Sequence, residues 1–169
     1  THHADSRLTA KLPADGAYFL HVADAQHGGS PEHAYRLRIS PPQPDFELRV
    51  VPSSVSGRTG GSAPVTVFAL RKDGFTGEIT VTLKGAPPGF KLSGGNVPAD
   101  KDQAKLTLTI GDAQDEPVPL EIEGRAKVGD AEICRAAIPA EDMQQAFAYH
   151  HLVPAKNLMA CASGRLAPS

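Results

Sequence analysis

Apolar and polar side chains alternate along most of this chain, and the period is two residues. The first three segments of this kind are Arg7–Leu12, Ala17–Ala23 and His33–Ile39. In the third, Tyr35, Leu37 and Ile39 share one face and Arg36 and Arg38 the other. Because this period is typical of half-buried antiparallel strands, the sequence predicts three strands here. Three strands with one uncovered apolar face need a partner sheet.

A proline-rich stretch, "SPPQPD" (Ser40–Asp45), follows the third segment. Proline cannot continue a central strand and stiffens a junction, so a domain boundary is expected here. The predicted organisation is a partial sheet over residues 1–42, a second domain over 43–140 and a C-terminal tail over 141–169.

The alternation is steadier in the second domain, where seven strands are predicted. They are Phe46–Val50, Pro64–Lys72, Glu78–Lys84, Phe90–Leu92, Lys105–Ile110, Val118–Val128 and Ala131–Ile138. Turn residues such as Asp73-Gly74 and Gly129-Asp130 separate them. Many short strands at this spacing indicate an all-β fold and favour an immunoglobulin-like β-sandwich.

The tail allows two interpretations. Met143, Phe147 and His150 are spaced as on one face of a helix, with Asp142 as its N-cap. A strand through Phe147, Tyr149 and His151 explains the same residues. The last segment, "LMACASGRLAPS", is expected to be loose.

Composition narrows the possible functions. The chain has 169 residues, 5% aromatic content, no Trp and a net charge of −2. Few aromatics argue against an aromatic-lined sugar groove or a base-stacking platform. The charge gives no reason to expect a nucleic-acid partner, and no apolar run is long enough for a membrane span. The start, which has neither an initiator Met nor a signal peptide, suggests a piece of something longer or a processed product.

The two cysteines, Cys134 and Cys161, lack CxxC spacing and cannot form a tetrahedral zinc site alone. They form either one disulfide or two free thiols, and the sequence leaves both open.

The segment "HADSRLTAKLPADGAYFLHVADAQHGGSPEHAYRLRI" (His3–Ile39) resembles the C-terminal half of the bacterial pre-peptidase C-terminal domain. The likeness rests on an Asp-Ser before a strand, a "PADGxYxLxV" hairpin and a closing "YRLRI" strand. That family is a small β jelly roll attached to exported peptidases and other large surface proteins. The resemblance implies a partial jelly-roll sheet whose first strands are missing.

The next segment, "PDFELRVVPSSVSGRTGGSAPVTVFALRKDGFTGEITVTLKGAPPGF", resembles a bacterial Ig-like repeat of large exported proteins, notably of planctomycete type. Together the two resemblances imply a secreted, periplasmic or cell-surface location. Neither family supplies catalytic residues. Some pre-peptidase-type domains bind calcium, but no ligand set aligns here.

Metal sites find little support in the residue pattern. Neighbours on a strand point to opposite faces, so the pairs His2-His3 and His150-His151 each offer one imidazole to a common ion. The carboxylates of two turns, "PADKDQ" and "GDAQDE", lack the offsets of an EF-hand. These are Asp100, Asp102, Asp112, Asp115 and Glu116. Ordinary turn chemistry explains them, so no cofactor is expected, with calcium as the alternative.

Catalytic patterns are also weak. None of the serines Ser53, Ser54, Ser62 and Ser93 sits in a GxSxG elbow. Cys134 could be drawn as a dyad with a distant histidine, but such a coincidence of composition does not define a site. The chain is therefore not expected to be an enzyme.

The functional prediction is a non-catalytic accessory module of an exported bacterial protein, acting as a spacer, an adhesion unit or a substrate-docking unit. The alternative is a structural subunit of an extracellular assembly that a partner chain completes. Expected partners are other domains of a parent chain, a neighbouring subunit or a surface polymer. Since sandwiches use end loops for recognition, the candidate recognition residues are Asp24, His27, His33, Asp73 and Phe75.

Overall fold

The computed structural model describes residues 8–23, 28–32, 34–113, 116–142 and 152–163 in full, and only the backbone of 143–145 and 149–151. The chain divides into two units, Thr1–Pro42 and Gln43–Ser169. The described part of the chain is all-β and contains no helix that could cross a membrane.

The described residues of the first unit contain no strand, and every one of them is exposed. The turn at Pro13–Gly16 is held by the Tyr18 hydroxyl, which donates to the Ala14 carbonyl at 2.5 Å. The expected strands over Arg7–Leu12, Ala17–Ala23 and His33–Ile39 are thus absent where the chain is described. The alternation is present, but no sheet covers its apolar face, and strands without such cover are not stable.

The described residues of the second unit form eleven strands. They are β1 (Asp45–Val51), β2 (Ser54–Arg58), β3 (Ser62–Lys72), β4 (Ile79–Lys84), β5 (Lys91–Ser93), β6 (Asn96–Val97), β7 (Gln103–Thr109), β8 (Val118–Val128), β9 (Ala131–Gln145), β10 (Tyr149–Pro154) and β11 (Leu158–Ser163). The seven strands predicted for this part of the chain all have counterparts among them.

One mixed hydrogen-bonded network joins these strands in a sandwich-like arrangement. Along one side β5, β7, β3 and β1 are successive antiparallel neighbours. Along the other, β6, β4, β8 and β9 are antiparallel neighbours. The first residues of β8 pair with β11, and β11 pairs in parallel with β2.

Strand β9 connects the two sides because it changes partners along its length. Its first six residues, 131–136, pair with β8. The next three, 137–139, run parallel to β1. The remainder forms a hairpin with β10. A single long strand therefore ties β8 to β1.

The tail is part of the fold rather than a loose end. Strand β10 supports the strand interpretation of residues 149–154 over the helical one. The expectation that Leu158 onward is loose is wrong for residues 158–163, because Leu158, Ala160 and Ala162 are buried in the core. These three residues alternate with exposed or half-buried ones, so β11 buries one face.

The core is built from the inward faces of the strands. Phe46, Leu48 and Val50 of β1 are fully buried, and all described buried side chains are apolar. Gly124 of β8 faces β1: a Cβ at this position would lie 2.3 Å from Leu48 Cδ1 and 2.9 Å from Ile79 Cγ2. At Gly124 the main chain of β8 therefore lies closer to Leu48 of β1 and Ile79 of β4 than it could if this position carried a Cβ atom.

An ion pair closes the edge where β9 passes from β8 to β1. Arg135 donates from Nε to Asp45 Oδ1 and from Nη2 to Asp45 Oδ2, each at 3.0 Å. Burial acts to raise the pKa of Asp45, but the hydrogen bonds and charge of Arg135, with the Phe46 amide, lower it below its usual value. Close by, the hydrogen bond and charge of Lys72 lower the pKa of Glu47.

These lowered pKa values predict a loss of stability in acid. A carboxyl group whose pKa is lower in the folded than in the unfolded chain stabilises the fold above the unfolded pKa, and that contribution disappears as the pH falls through the folded pKa. The free energy of unfolding should therefore decline below about pH 4.5. Asp45→Asn should lose about 0.2–1 kcal/mol at pH 7 and decline less steeply in acid. Urea denaturation between pH 7 and pH 3 measures both effects.

Glu132→Gln is the matched control, because it removes an exposed carboxylate of β9, the strand that carries Arg135, at a position paired with Lys127 of β8 rather than with β1. Its profile should follow that of the wild type. Equal acid slopes for the wild type and Asp45→Asn would contradict the role of the Asp45–Arg135 pair.

Candidate functional site

Arg71, near the end of β3, fastens two connections of the sandwich. Its side chain is only 14% exposed. The guanidinium donates to the carbonyl oxygens of Gly77 at 2.6 Å, Pro98 at 2.7 Å and Lys101 at 3.0 Å. One cation therefore holds the β3–β4 connection and the β6–β7 connection together.

The surroundings of Arg71 strengthen this clamp. Its guanidinium carbon lies 5.3 Å from the centre of the Phe75 ring, within the range of a cation–π contact. Its Nε lies 3.3 Å from Asp102 Oδ1. The Asp102 carbonyl in turn accepts a hydrogen bond from the Ala69 amide at 2.8 Å. The loop 98–102 is thus bound to β3 by both main-chain and side-chain contacts.

A shallow depression of about 480 Å³ lies beside this loop. It is lined by Gly94, Asn96, Pro98, Lys101, Gln103, Ala104 and Lys105. The Asn96 amide is oriented by Glu78, because its Nδ2 donates to Glu78 Oε1 at 2.6 Å. Two of the lining residues, Pro98 and Lys101, are the ones whose carbonyls Arg71 holds. We call this surface the Lys101–Lys105 depression.

The chemistry of the depression is that of a weak polar binding surface. Lys101 and Lys105 are exposed and form no ion pair with any described residue. Ammonium groups donate to carboxylates, sulfates and hydroxyls, and the amides of Asn96 and Gln103 add donors and acceptors. The surface presents these groups to solvent. It does not enclose a reacting group, as a general acid–base pair requires.

Of the five predicted recognition residues, only Asp73 and Phe75 lie in the described part of the chain. Asp24, His27 and His33 lie outside the described residues. Asp73 is in the β3–β4 turn with φ +50°, and its Oδ2 accepts a hydrogen bond from the Gln43 amide at 3.1 Å. Phe75 is 4% exposed and packs 5.4 Å from the Phe46 ring, centre to centre. Phe75 is therefore a core residue rather than an exposed recognition side chain.

The described residues contain no group of three or more histidine, cysteine, aspartate or glutamate side chains placed to hold a metal ion. His21 is exposed, and Asp102 lies against Arg71. The side chains of His150 and His151 and all of Asp115 lie outside the described part.

Cys134 and Cys161 are free, exposed thiols. Cys134 is paired with Arg125 of β8, whereas Cys161 follows Ala160, which is paired with Val118. Seven residues of strand separate those two positions, about 23 Å at the rise of a β-strand. A disulfide needs Cα atoms within roughly 7 Å, so the register separates the two thiols.

Sequence reasoning did not identify the Lys101–Lys105 depression. Its residues come from the β5–β6 connection, β6, β7 and the loop between β6 and β7, and no motif links them. The available signal was two lysines, Lys101 and Lys105, beside Asp100 and Asp102, which by itself is usual for a solvated surface.

No protein-family model matches this chain, and no curated protein matches it significantly.

Proposed function

We propose that this chain is a non-catalytic accessory module of a secreted or cell-surface bacterial protein. In this proposal the first unit is related to the pre-peptidase C-terminal domain and the second to bacterial Ig-like repeats. The module acts as a spacer that also docks a surface polymer. The observation that carries the proposal is the use of Arg71, the least exposed cationic side chain among the described ion pairs, to fix loops rather than to serve a reaction.

The other charged pairs of the second unit support a structural role. Arg135 joins Asp45 between β9 and β1, and Lys72 contacts Glu47 between β3 and β1. Ser53 donates to Glu141, which ties the β1–β2 connection to β9. These polar groups hold strands in register, as a spacer requires.

The docking surface in this proposal is the Lys101–Lys105 depression, and the ligand class is a carboxylated surface polysaccharide. The Arg71 clamp supports this choice, since a preformed rim loses little conformational entropy on binding. The charges of Lys101 and Lys105, which form no ion pair with any described residue, favour a polyanion over a neutral chain.

The double variant Lys101→Glu/Lys105→Glu tests this proposal. We expect its retention on immobilised alginate, a polyuronate, to fall about tenfold at low salt, since two exposed charge contacts contribute roughly 0.2–1 kcal/mol each and become repulsive. Added salt should weaken the wild-type binding, because exposed charges are screened. Isothermal titration with soluble alginate oligomers gives the ratio directly.

The control is Lys127→Glu/Lys156→Glu, which makes the same charge change at exposed positions outside the depression. It should retain at least half of the wild-type affinity. If both double variants lost alginate affinity equally, net charge alone would explain the loss, and the depression would not be the docking surface. Intact mass of the native parent, with peptide mapping, tests the wider proposal, which fails if these residues belong to a free cytosolic chain.

A further inference from the structure

Two of the pairings between the described strands of the second unit are parallel, whereas the others are antiparallel. Residues 48–50 of β1 lie beside residues 137–139 of β9, and residues 54–58 of β2 lie beside residues 159–163 of β11. A parallel neighbour cannot be reached through a tight hairpin, so these contacts join distant parts of the chain. They connect the first two strands of the unit to strands near its end.

The registers also set the direction of the strands that begin and end the unit. Strand β11 is antiparallel to β8, β8 is antiparallel to β9, and β9 is parallel to β1. Since β2 is parallel to β11, the strands β1, β2 and β11 all run the same way. Strand β1 begins at Asp45, β2 ends at Arg58, and Arg58 pairs with Ser163 at the end of β11. The chain thus enters β1 at one end of the unit and leaves β11 at the other, at most about 43 Å away at the rise of a β-strand.

This arrangement decides how tension between the two ends acts on the hydrogen bonds. Tension draws β1 toward its first residue and β11 toward its last. Parallel strands that are drawn from opposite ends must slide past their neighbours, so the hydrogen bonds between them bear the load together. Antiparallel strands that are drawn from the same end separate one pair at a time, and each main-chain bond then resists with only about 0.5–1.5 kcal/mol.

The end of the chain path, β11, is fastened along its whole pairing with β2. The Met159 amide donates to the Ser53 carbonyl at 2.9 Å, and the Thr59 amide donates to the Ser163 carbonyl at 3.1 Å. The Ser163 hydroxyl donates to the Gly57 carbonyl at 3.3 Å. Every second side chain of β11 is buried. Strand β11 therefore leaves the unit only if these bonds break and its buried face is exposed to water.

The entry to β1 is fastened by side chains. Just before β1 begins, the Gln43 amide donates to Asp73 Oδ2 at 3.1 Å. Asp45, the first residue of β1, accepts two hydrogen bonds from Arg135 of β9, each at 3.0 Å. Tension that reaches Gln43 is therefore shared with the β3–β4 turn and with β9.

We propose that the second unit is a load-bearing link, which transmits tension along its parent chain through shear between its first and last strands. The load-bearing role rests on the spacer role proposed above, because tension arises only where the chain continues on both sides. It is independent of polymer docking. The unfolding force is a property of this chain alone, whereas alginate retention and the mass of the native parent test the proposed function, so the two failures are distinguishable.

The test is a single-molecule force measurement on one protein pulled in two directions. The protein is the full chain with Cys134→Ser, Cys161→Ser and Thr76→Cys, so a thiol handle attaches at the exposed position 76. The other handles are attached enzymatically at the two chain ends. Pulling between the chain ends loads β1 and β11 in shear. Pulling between the N-terminal handle and position 76 peels β1 from β3, starting at the end where Asp45 pairs with Lys72.

At the same loading rate, end-to-end pulling should need at least about twice the force of pulling at position 76, because peeled bonds, each worth roughly 0.5–1.5 kcal/mol, yield one after another. End-to-end unfolding should be a single step of about 40 nm, the extended length of the roughly 120 residues 43–163 less the length of the folded unit. Equal forces in the two directions would overturn the inference, and so would a separate release of β11 at low force.

The two directions serve as controls for each other. Both start from the same folded protein, so a change in stability cannot produce a difference between them. All three substituted positions are exposed, and the substitutions should change the free energy of unfolding by no more than about 0.5 kcal/mol. The first unit lies behind the N-terminal handle in both directions, so its contribution cancels.

Discussion

Gly124→Val is expected to lower the free energy of unfolding by about 3 kcal/mol, the upper range for overpacking a tight core. The added Cβ would lie 2.3 Å from Leu48 Cδ1 and 2.9 Å from Ile79 Cγ2. Both of those side chains have no exposed area, so neither can turn outward to make room. Strand β8 must instead move away from β1, which disturbs its pairing with β4 and β9. Urea denaturation followed by circular dichroism gives the value.

Lys127→Val provides the comparison, because it places the same residue on the exposed face of the same strand. Its effect should stay within about 0.5 kcal/mol of zero. If the two valine variants unfolded at the same urea concentration, the close approach of β8 to β1 at Gly124 would not exist in solution.

Arg71→Met is expected to destabilise the protein by about 2–4 kcal/mol. The variant keeps much of the aliphatic volume but leaves three carbonyl oxygens, those of Gly77, Pro98 and Lys101, without their charged donor. Hydrogen bonds to charged groups contribute about 1.5–3 kcal/mol, and partial access of water to these carbonyls limits the total. Denaturant unfolding measures the loss. Hydrogen exchange should also show faster opening at the Ala69 amide, which is bonded to Asp102.

Lys84→Met is the control for charge removal, since Lys84 is 63% exposed and lies 3.8 Å from Glu121. An exposed pair of this kind contributes little, so the change should be below about 1 kcal/mol. Arg71→Lys adds a sharper comparison, because it retains the charge without the fork of donors. Full stability in Arg71→Lys would mean that charge alone, rather than the three directed hydrogen bonds, holds the loops.

The main strands of the second unit could be predicted from the sequence because their alternation is locally complete. Val118–Val128 was predicted with the bounds that β8 has in the structure. Leu120, Ile122 and Ala126 face inward there, as the period of two requires. Gly124 interrupts the series of inward-facing apolar residues. The alternation does not reveal that Leu48 and Ile79 occupy the space where a side chain at position 124 would lie.

The strands that escaped prediction depend on distant partners. The residues of β2, "SVSGR", look like a turn because only Val55 among them is a large apolar residue. The residues of β11, "LMACAS", alternate over too short a run to stand out. Strand β2 forms because β11 lies beside it, and β11 lies between β2 and the first residues of β8. No local pattern reports the pairing of β2 with β11, which joins residues about a hundred positions apart.

The side chains of the candidate site could not be placed from the sequence for the same reason, because their contacts come from distant residues. Phe75 follows a turn that is typical of exposed recognition loops, yet its ring is buried between Arg71 and Phe46. Arg71 is the penultimate residue of the predicted strand Pro64–Lys72, and no sequence motif marks its side chain as buried. Its function as a clamp depends on carbonyls of Gly77 and Pro98, which come from separate loops. Main-chain acceptors have no sequence signature.

The pairing of β2 with β11 also determines when this protein can finish folding. Among the described strands β2 is hydrogen-bonded in the sheet only to β11, and Leu158 follows Arg58 by 100 residues. At a synthesis rate of about 5–20 residues per second, β2 waits on the order of 5–20 seconds for its neighbour to emerge from the ribosome. Loop closure over such a separation is also slow. The polar, glycine-containing sequence of β2 suits that delay, because it makes a poor template for pairing with other nascent chains.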